Sequence, residues 1–140
     1  MDNRIKLIAI GVRDAIEQEE VRKCYIGFEW FPYGSCMDAS ILLGIILEEN
    51  GVGRYEYVSA VNDLATHSWL EFEGQLIDIT ADQFDKDNPK VVINESVNFH
   101  LGFKVASRHS IKDESKVPDI GFYYALSMVK EILRTNGVIN

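Results

Sequence analysis

Cys36, His67 and Asp78 have the residue types, and stand in the order, of a cysteine acyl-transfer triad. This chemistry needs a thiolate, a base that later protonates the leaving group, and a third group that fixes the imidazole tautomer. Cys36 stands where the turn-rich segment 31–35 gives way to an apolar run. At such a helix start, unpaired backbone N–H groups and the macrodipole favour a negative sulfur. These three residues therefore point to an enzyme.

A predicted β-hairpin brings the histidine and the aspartate together. Segments 67–72 and 75–80 flank Glu73-Gly74, which is typical of a two-residue hairpin loop. In that register Leu70 lies opposite Ile77, and His67 and Asp78 are diagonal neighbours on one face, with Cβ atoms roughly 7 Å apart. A slip of one residue would move the aspartate to the other face.

The reaction also needs donors for an oxyanion. The backbone N–H of Cys36, at the helix start, is the first predicted donor. The Trp30 indole or a backbone N–H near Tyr33 is the second. Trp30, Tyr33 and Trp69 are the candidate residues for binding the oxyanion or the substrate.

Other residues offer alternatives for each role. His100 and His109 could replace the base, yet neither has an acid on a predictable neighbouring strand. Asp82 could replace Asp78, although 80–83 is more typical of a helix start. A metal site is not expected, because no close ligand pair of the zinc type exists, and no cofactor is predicted. A cysteine beside an apolar helix is often only a buried hydrophobic residue.

The remaining pattern predicts an α+β fold in a single domain. A first amphipathic helix carries Ile5, Ile8, Val12 and Ile16, and a buried central helix covers about 36–50. Ser35 is its predicted N-cap, with Asp38 as the capping-box acid. Pro118 is predicted to open a last helix that docks on the core. Strands are predicted at 54–60, 67–72, 75–80, 91–93 and 103–107, giving an antiparallel sheet of four to five strands.

The three motifs together resemble those of the transglutaminase-like superfamily of papain-fold cysteine enzymes. They are a cysteine opening a helix at 34–40, the His-x-Trp-x-Glu strand at 67–71, and the strand at 76–80 with an aspartate near its end. The resemblance spans about 33–84. Met37 follows the cysteine, which favours this branch over classical papain relatives.

The resemblance implies a transglutaminase-like domain over residues 1–140, with the Cys36 helix packed on the sheet that bears His67 and Asp78. It implies acyl transfer through a thioester on Cys36: amide hydrolysis by a protease, deamidation, or transfer to an amine as in a transglutaminase. In the family the aspartate orients the histidine, which is the role implied for Asp78. Without a calcium-site cluster, a calcium-activated crosslinker is not expected.

Composition narrows the partners. The net charge of −8 argues against a nucleic-acid surface, and no apolar run reaches the roughly 20 residues that span a membrane. With no readable export signal and only Cys24 and Cys36, a cytoplasmic protein with a free thiol is expected. The predicted partner is a protein or peptide substrate. A non-catalytic peptide- or protein-binding module and a deamidating bacterial effector remain the alternatives, and the oligomeric state stays open.

Overall fold

The computed structural model describes residues 3–93, 98–111 and 119–140. Within these ranges the helices are α1 (Asn3–Glu17), α2 (Glu19–Arg22), α3 (Cys36–Glu49), α4 (Asn98–Leu101) and α5 (Ile120–Thr135). The strands are β1 (Glu56–Val61), β2 (Thr66–Phe72), β3 (Gln75–Asp78), β4 (Val92–Ile93) and β5 (Lys104–Ser110). Short 3-10 turns cover Ile26–Phe28 and Ala81–Gln83.

The strands form one antiparallel sheet in the order β4-β3-β2-β1-β5. β5 returns from late in the chain to pair with β1, with a register shift at Ser59/Ala60. The protein is therefore an α+β protein with a five-stranded antiparallel sheet and helices at both ends. This confirms the predicted class and number of strands.

The β2–β3 hairpin has the predicted register. Leu70 pairs with Ile77 and Phe72 with Gln75, across a loop of Glu73 and Gly74. Both loop residues have positive φ, 49° and 77°. Positive φ at both central positions is the pattern of a type I′ turn, whose twist matches that of the strands.

The central helix α3 is apolar on most of its surface and forms the middle of the core. Eight of its residues are buried, and six of these share the core cluster with Tyr57, Leu70 and Ile77 of the sheet. α1 packs between α3 and α5 and completes this layer. Within the described ranges, no helix is long and apolar enough to cross a membrane.

The predicted capping box at the start of α3 is wrong. Ser35 occupies the N-cap position, but its hydroxyl donates to the Gly27 carbonyl at 2.8 Å, not to the helix. Asp38 instead accepts a 2.8 Å hydrogen bond from the Tyr25 hydroxyl. Both side chains therefore hold the preceding segment against the helix.

The start of the last helix differs in detail from the prediction. Pro118, predicted to open it, lies outside the described residues. α5 is described from Ile120, and the N-cap Asp119 accepts a 2.7 Å bond from the Gly121 N–H.

Candidate active site

Cys36 is the first residue of α3, as predicted. The first bond of the helix runs from the Ala39 N–H to the Ser35 carbonyl at 2.8 Å, so the Cys36 N–H lies ahead of the helical ladder. The Cys36 side chain is partly exposed, and both cysteines are free. The thiol and a backbone donor at the helix start therefore belong to the same partly exposed residue.

The end of β3 makes room for the thiol. β2 extends back to Thr66, whereas its pairing with β3 covers Leu70–Phe72. Cys36 lies against the backbone of Ser68 and forms a hydrogen bond with His67. Because side chains alternate along a strand, His67 lies on the face opposite to that of Leu70, which packs on α3. The thiol thus meets the imidazole beyond the end of the shorter strand.

His67 and Asp78 form the predicted pair. The Nε2 of His67 lies 2.7 Å from Oδ2 of Asp78, and both side chains are fully buried. The other carboxylate oxygen accepts the Thr80 N–H at 2.9 Å. An ionised carboxylate only accepts, so His67 must carry its proton on Nε2. This leaves Nδ1 as an acceptor that faces both the thiol and the Gln83 amide, 3.0 Å away, which is the tautomer that a general base needs.

The site favours an ion pair between Cys36 and His67. Burial opposes the thiolate, but the His67 hydrogen bond and charge, with Gln83 and the Ser68 backbone, lower the pKa of Cys36. Burial also opposes the imidazolium, but Asp78 and Cys36 raise the pKa of His67 to about 9. Although burial favours the neutral acid, bonds from His100 and His67 lower the pKa of Asp78. Each group is therefore shifted toward its charged form, so the thiolate forms at lower pH than in an ordinary cysteine, and the imidazolium persists to higher pH than in an ordinary histidine.

Gln83 belongs to the site, although the sequence analysis did not select it. Its Oε1 accepts the Gly34 N–H at 3.3 Å, which assigns the amide NH₂ to the other side. That NH₂ lies 3.0 Å from Nδ1 of His67 and also bonds the thiol of Cys36. The side chain is thus a candidate donor for an oxyanion. The only sequence signal was a helix-start pattern at 80–83, which carries no information about the site.

His100 is the second residue that the sequence analysis misjudged. The sequence offered it as an alternative base without an acid on a predictable neighbouring strand, yet its Nε2 lies 2.7 Å from Oδ2 of Asp78, and it is buried. The acid lies on β3, and His100 reaches it from α4. No pattern in the sequence predicts the position of α4. Two imidazoles therefore share one carboxylate oxygen.

Two further alternatives are assigned other roles by their contacts. His109 is exposed on β5 and stacks on Tyr57 at 5.8 Å. Asp82 accepts two bonds from the buried Arg13, at 2.6 and 2.9 Å. The same guanidinium donates to the Ile79 carbonyl at 2.8 Å. Asp82 therefore anchors the turn that carries Gln83 to α1.

The candidates for oxyanion or substrate binding have different environments. Trp30 and Tyr33 are 72% and 60% exposed, whereas the neighbouring aromatics Tyr25, Phe28 and Phe31 fill the core. The Tyr33 N–H donates to the Trp30 carbonyl at 2.8 Å, so that backbone donor is engaged. Trp69 is buried, its indole donates to Glu71 at 3.0 Å, and its ring lies 5.6 Å from that of His67. Oxyanion binding by the Trp30 indole stays a prediction.

His67, Asp78 and His100 also have the donor types of a metal site, with ligand atoms within 4.8 Å of one another. Both nitrogen–oxygen separations are 2.7 Å. Ligands of one tetrahedral zinc ion lie roughly 3.3 Å apart, since each is about 2.0–2.1 Å from the metal. The spacing fits hydrogen bonds better than a shared ion.

No protein-family model, curated protein or solved structure matches this chain. The geometry of these side chains is therefore the basis for assigning a function.

Proposed function

We propose that this protein is a cysteine-dependent amide-bond hydrolase or acyltransferase of the transglutaminase-like, papain-fold class. The observation that carries the proposal is a partly exposed thiol at a helix start, bonded to a buried imidazole that is bonded to a buried carboxylate. Three such groups in this order satisfy the requirements for nucleophile, base and orienting group.

The reaction follows from the favoured ion pair. The Cys36 thiolate attacks the amide carbonyl carbon, and the oxyanion is held by the Cys36 N–H and the Gln83 amide. The C–N bond then breaks as imidazolium His67 gives its proton to the leaving amine, leaving a thioester and a neutral imidazole. Water or a second amine attacks the thioester while His67 takes its proton, and the thiolate leaves. Asp78 keeps the Nε2 proton of His67 in place throughout.

The surface near Cys36 supports a protein or peptide substrate. Trp30, Tyr33 and Met37 stand close to the nucleophile in sequence and expose 72%, 60% and 46% of their surface. Exposed large apolar side chains commonly bind partners. The same surface also favours the rival function, a peptide-binding module without catalysis, so the deciding experiment must measure the reactivity of the sulfur.

Labelling with a peptide-based electrophile, followed by intact-mass analysis, tests the proposal. The wild type and Cys24→Ala should take one label at Cys36 near pH 6.5, and Cys36→Ala should take almost none. Cys24 is the matched control, because it is also a partly exposed free thiol, bonded to the Glu20 carbonyl at 3.2 Å. Turnover would then be read as release of ammonia or of a peptide fragment.

Equal labelling of Cys24 and Cys36, with a pH profile like that of an ordinary thiol near pH 8.5, would contradict activation. Peptide binding that persists in such a protein would establish the rival module.

A further inference from the structure

His100 is a buried polar residue to which the reaction proposed above assigns no step. Its imidazole bonds the same oxygen of Asp78 as His67 does, with ring centroids 6.3 Å apart. It packs edge-on against Trp69 at 5.2 Å, and its side chain is 2% exposed. A buried histidine needs hydrogen-bond partners, and Asp78 provides one.

Three of the described residues donate hydrogen bonds to the Asp78 carboxylate. Oδ1 accepts the N–H of Thr80 at 2.9 Å and its hydroxyl at 3.4 Å, and Oδ2 accepts His67 and His100 at 2.7 Å each. The carboxylate itself is fully buried. Because burial favours a neutral acid, each donor matters for keeping it ionised.

Since this carboxylate can only accept, both histidines must present Nε2–H to it. His67 uses its other nitrogen in the reaction, whereas the proposed reaction gives His100 no step. We propose that His100 is a positioning residue, which acts through Asp78 by keeping that carboxylate ionised and turned toward His67. The proposal rests on the proposed function and extends the triad by one histidine.

Removing the second donor to Oδ2 should raise the pKa of Asp78. Asp78 would keep the Thr80 contacts and His67, but its buried charge would have one hydrogen-bond donor fewer. The acid form then becomes easier to reach, and His67 loses its counter-ion at a higher pH. The thiolate of Cys36 is protonated along with it, because the imidazolium that stabilises it is weakened.

The experiment measures Cys36 alkylation against pH in His100→Phe, His100→Gln and His109→Phe, in a Cys24→Ala background. His100→Phe keeps the bulk but removes the donor, and the acid limb of the profile should move up by roughly one pH unit. His100→Gln keeps an N–H donor without a titrating group and should restore most of the shift. His109→Phe changes an exposed histidine and should leave the profile unchanged.

A second measurement uses only the wild type, so it does not depend on whether a variant folds. Nitrogen-15 NMR of the wild type should show His100 as the Nε2–H tautomer, with a proton protected from exchange. An Nδ1–H tautomer would overturn the proposal, as would an acid limb that stays in place or moves down in folded His100→Phe. Stoichiometric zinc lost in His100→Gln would also overturn it, because His100 would then be a ligand.

These readouts separate the two proposals, since neither needs turnover. If Cys36 is labelled and its alkylation profile is unchanged in the His100 variants, only the positioning role of His100 is excluded. The predicted tautomer and shift without amide turnover would keep that role and remove the proposed reaction.

Discussion

The location of one proton determines the chemistry at the residue scale. Between Cys36 and His67 the proton can stay on sulfur or move to Nδ1, and burial alone would keep both groups neutral. The fully buried Asp78 changes this balance, because an imidazolium offsets its negative charge. The thiolate is therefore stabilised from the far side of the histidine.

The first prediction concerns His67→Gln, which removes the imidazolium but keeps an amide near Asp78. The pKa of Cys36 should rise, and alkylation at pH 6.5 should slow by roughly threefold per unit of that rise, because a more basic thiolate is also a better nucleophile. Alkylation reactions that are quenched at set times and analysed by mass spectrometry give the rate at each pH. His109→Gln is the control, and an unchanged profile in His67→Gln would show that His67 does not activate the thiol.

The second prediction concerns Gln83, whose amide bonds both the thiol and Nδ1 of His67. Gln83→Leu removes a donor and should reduce kcat of the proposed reaction by about 10²-fold, with a smaller effect on KM. Gln83→Glu adds a negative charge beside the sulfur and should slow alkylation at pH 6.5 more than Gln83→Leu does.

Gln75→Glu makes the same charge change on the hairpin and serves as the control for Gln83→Glu. If Gln75→Glu slowed alkylation equally, the effect would come from overall charge, and Gln83 would have no local role.

At the scale of elements, the site depends on two helix or strand ends and one turn. α3 begins at Cys36, β3 stops at Asp78, and the Glu73-Gly74 turn sets the register between β2 and β3. The difference in strand length leaves Ser68 and His67 beyond the β3 pairing, where the thiol fits. The positions at which the helix and the strands end therefore determine the geometry of the site as much as their residues do.

The third prediction concerns this turn. Glu73 has a φ of 49°, a conformation that asparagine adopts more readily than glutamate does. Glu73→Asn should stabilise the protein by about 0.5 kcal/mol without moving the Cys36 alkylation profile. Gly74→Ala, at a φ of 77°, should destabilise it by about 1 kcal/mol.

Urea unfolding monitored by circular dichroism measures both changes. If Glu73→Asn lowered the stability or shifted the alkylation profile, the turn would not hold the register in the way described.

The sequence predicted the structural features that depend on residues close together in the chain. The register of the hairpin followed from two turn residues, and the start of α3 followed from the change from turn residues to an apolar run. His100 and Gln83 lie on α4 and on a 3-10 turn, each at most four residues long. Such segments have too few residues to show a periodicity, so their positions depend on tertiary packing. Ser35 and Asp38 fitted a capping box, but tertiary partners took both side chains.

At the scale of the whole molecule, the ion pair affects how stability depends on pH. His67 has a folded pKa of about 9 against 6.5 unfolded, so its contribution is complete below pH 6.5 and is lost as pH rises through 9. Cys36 has a lowered folded pKa, so its contribution is complete above its unfolded value of about 8.5 and is lost as pH falls through the folded value.

These two slopes have opposite signs between about pH 6.5 and 8.5. In the part of that window above the lowered pKa of Cys36, the folded pair holds one proton on His67, and the unfolded chain holds one on Cys36. Folding there neither binds nor releases a proton at this pair.

The fourth prediction follows from this cancellation. From the lowered pKa of Cys36 up to about pH 8.5, the pair should add almost no slope to the unfolding free energy of the wild type. Cys36→Ser removes the thiolate but leaves His67 bound to Asp78, so a decline toward alkaline pH should appear. His67→Gln, with Asp78 and Cys36 intact, should lack that decline. Urea titrations at half-unit pH intervals measure all three slopes, and equal slopes in wild type and Cys36→Ser would mean that no ion pair forms.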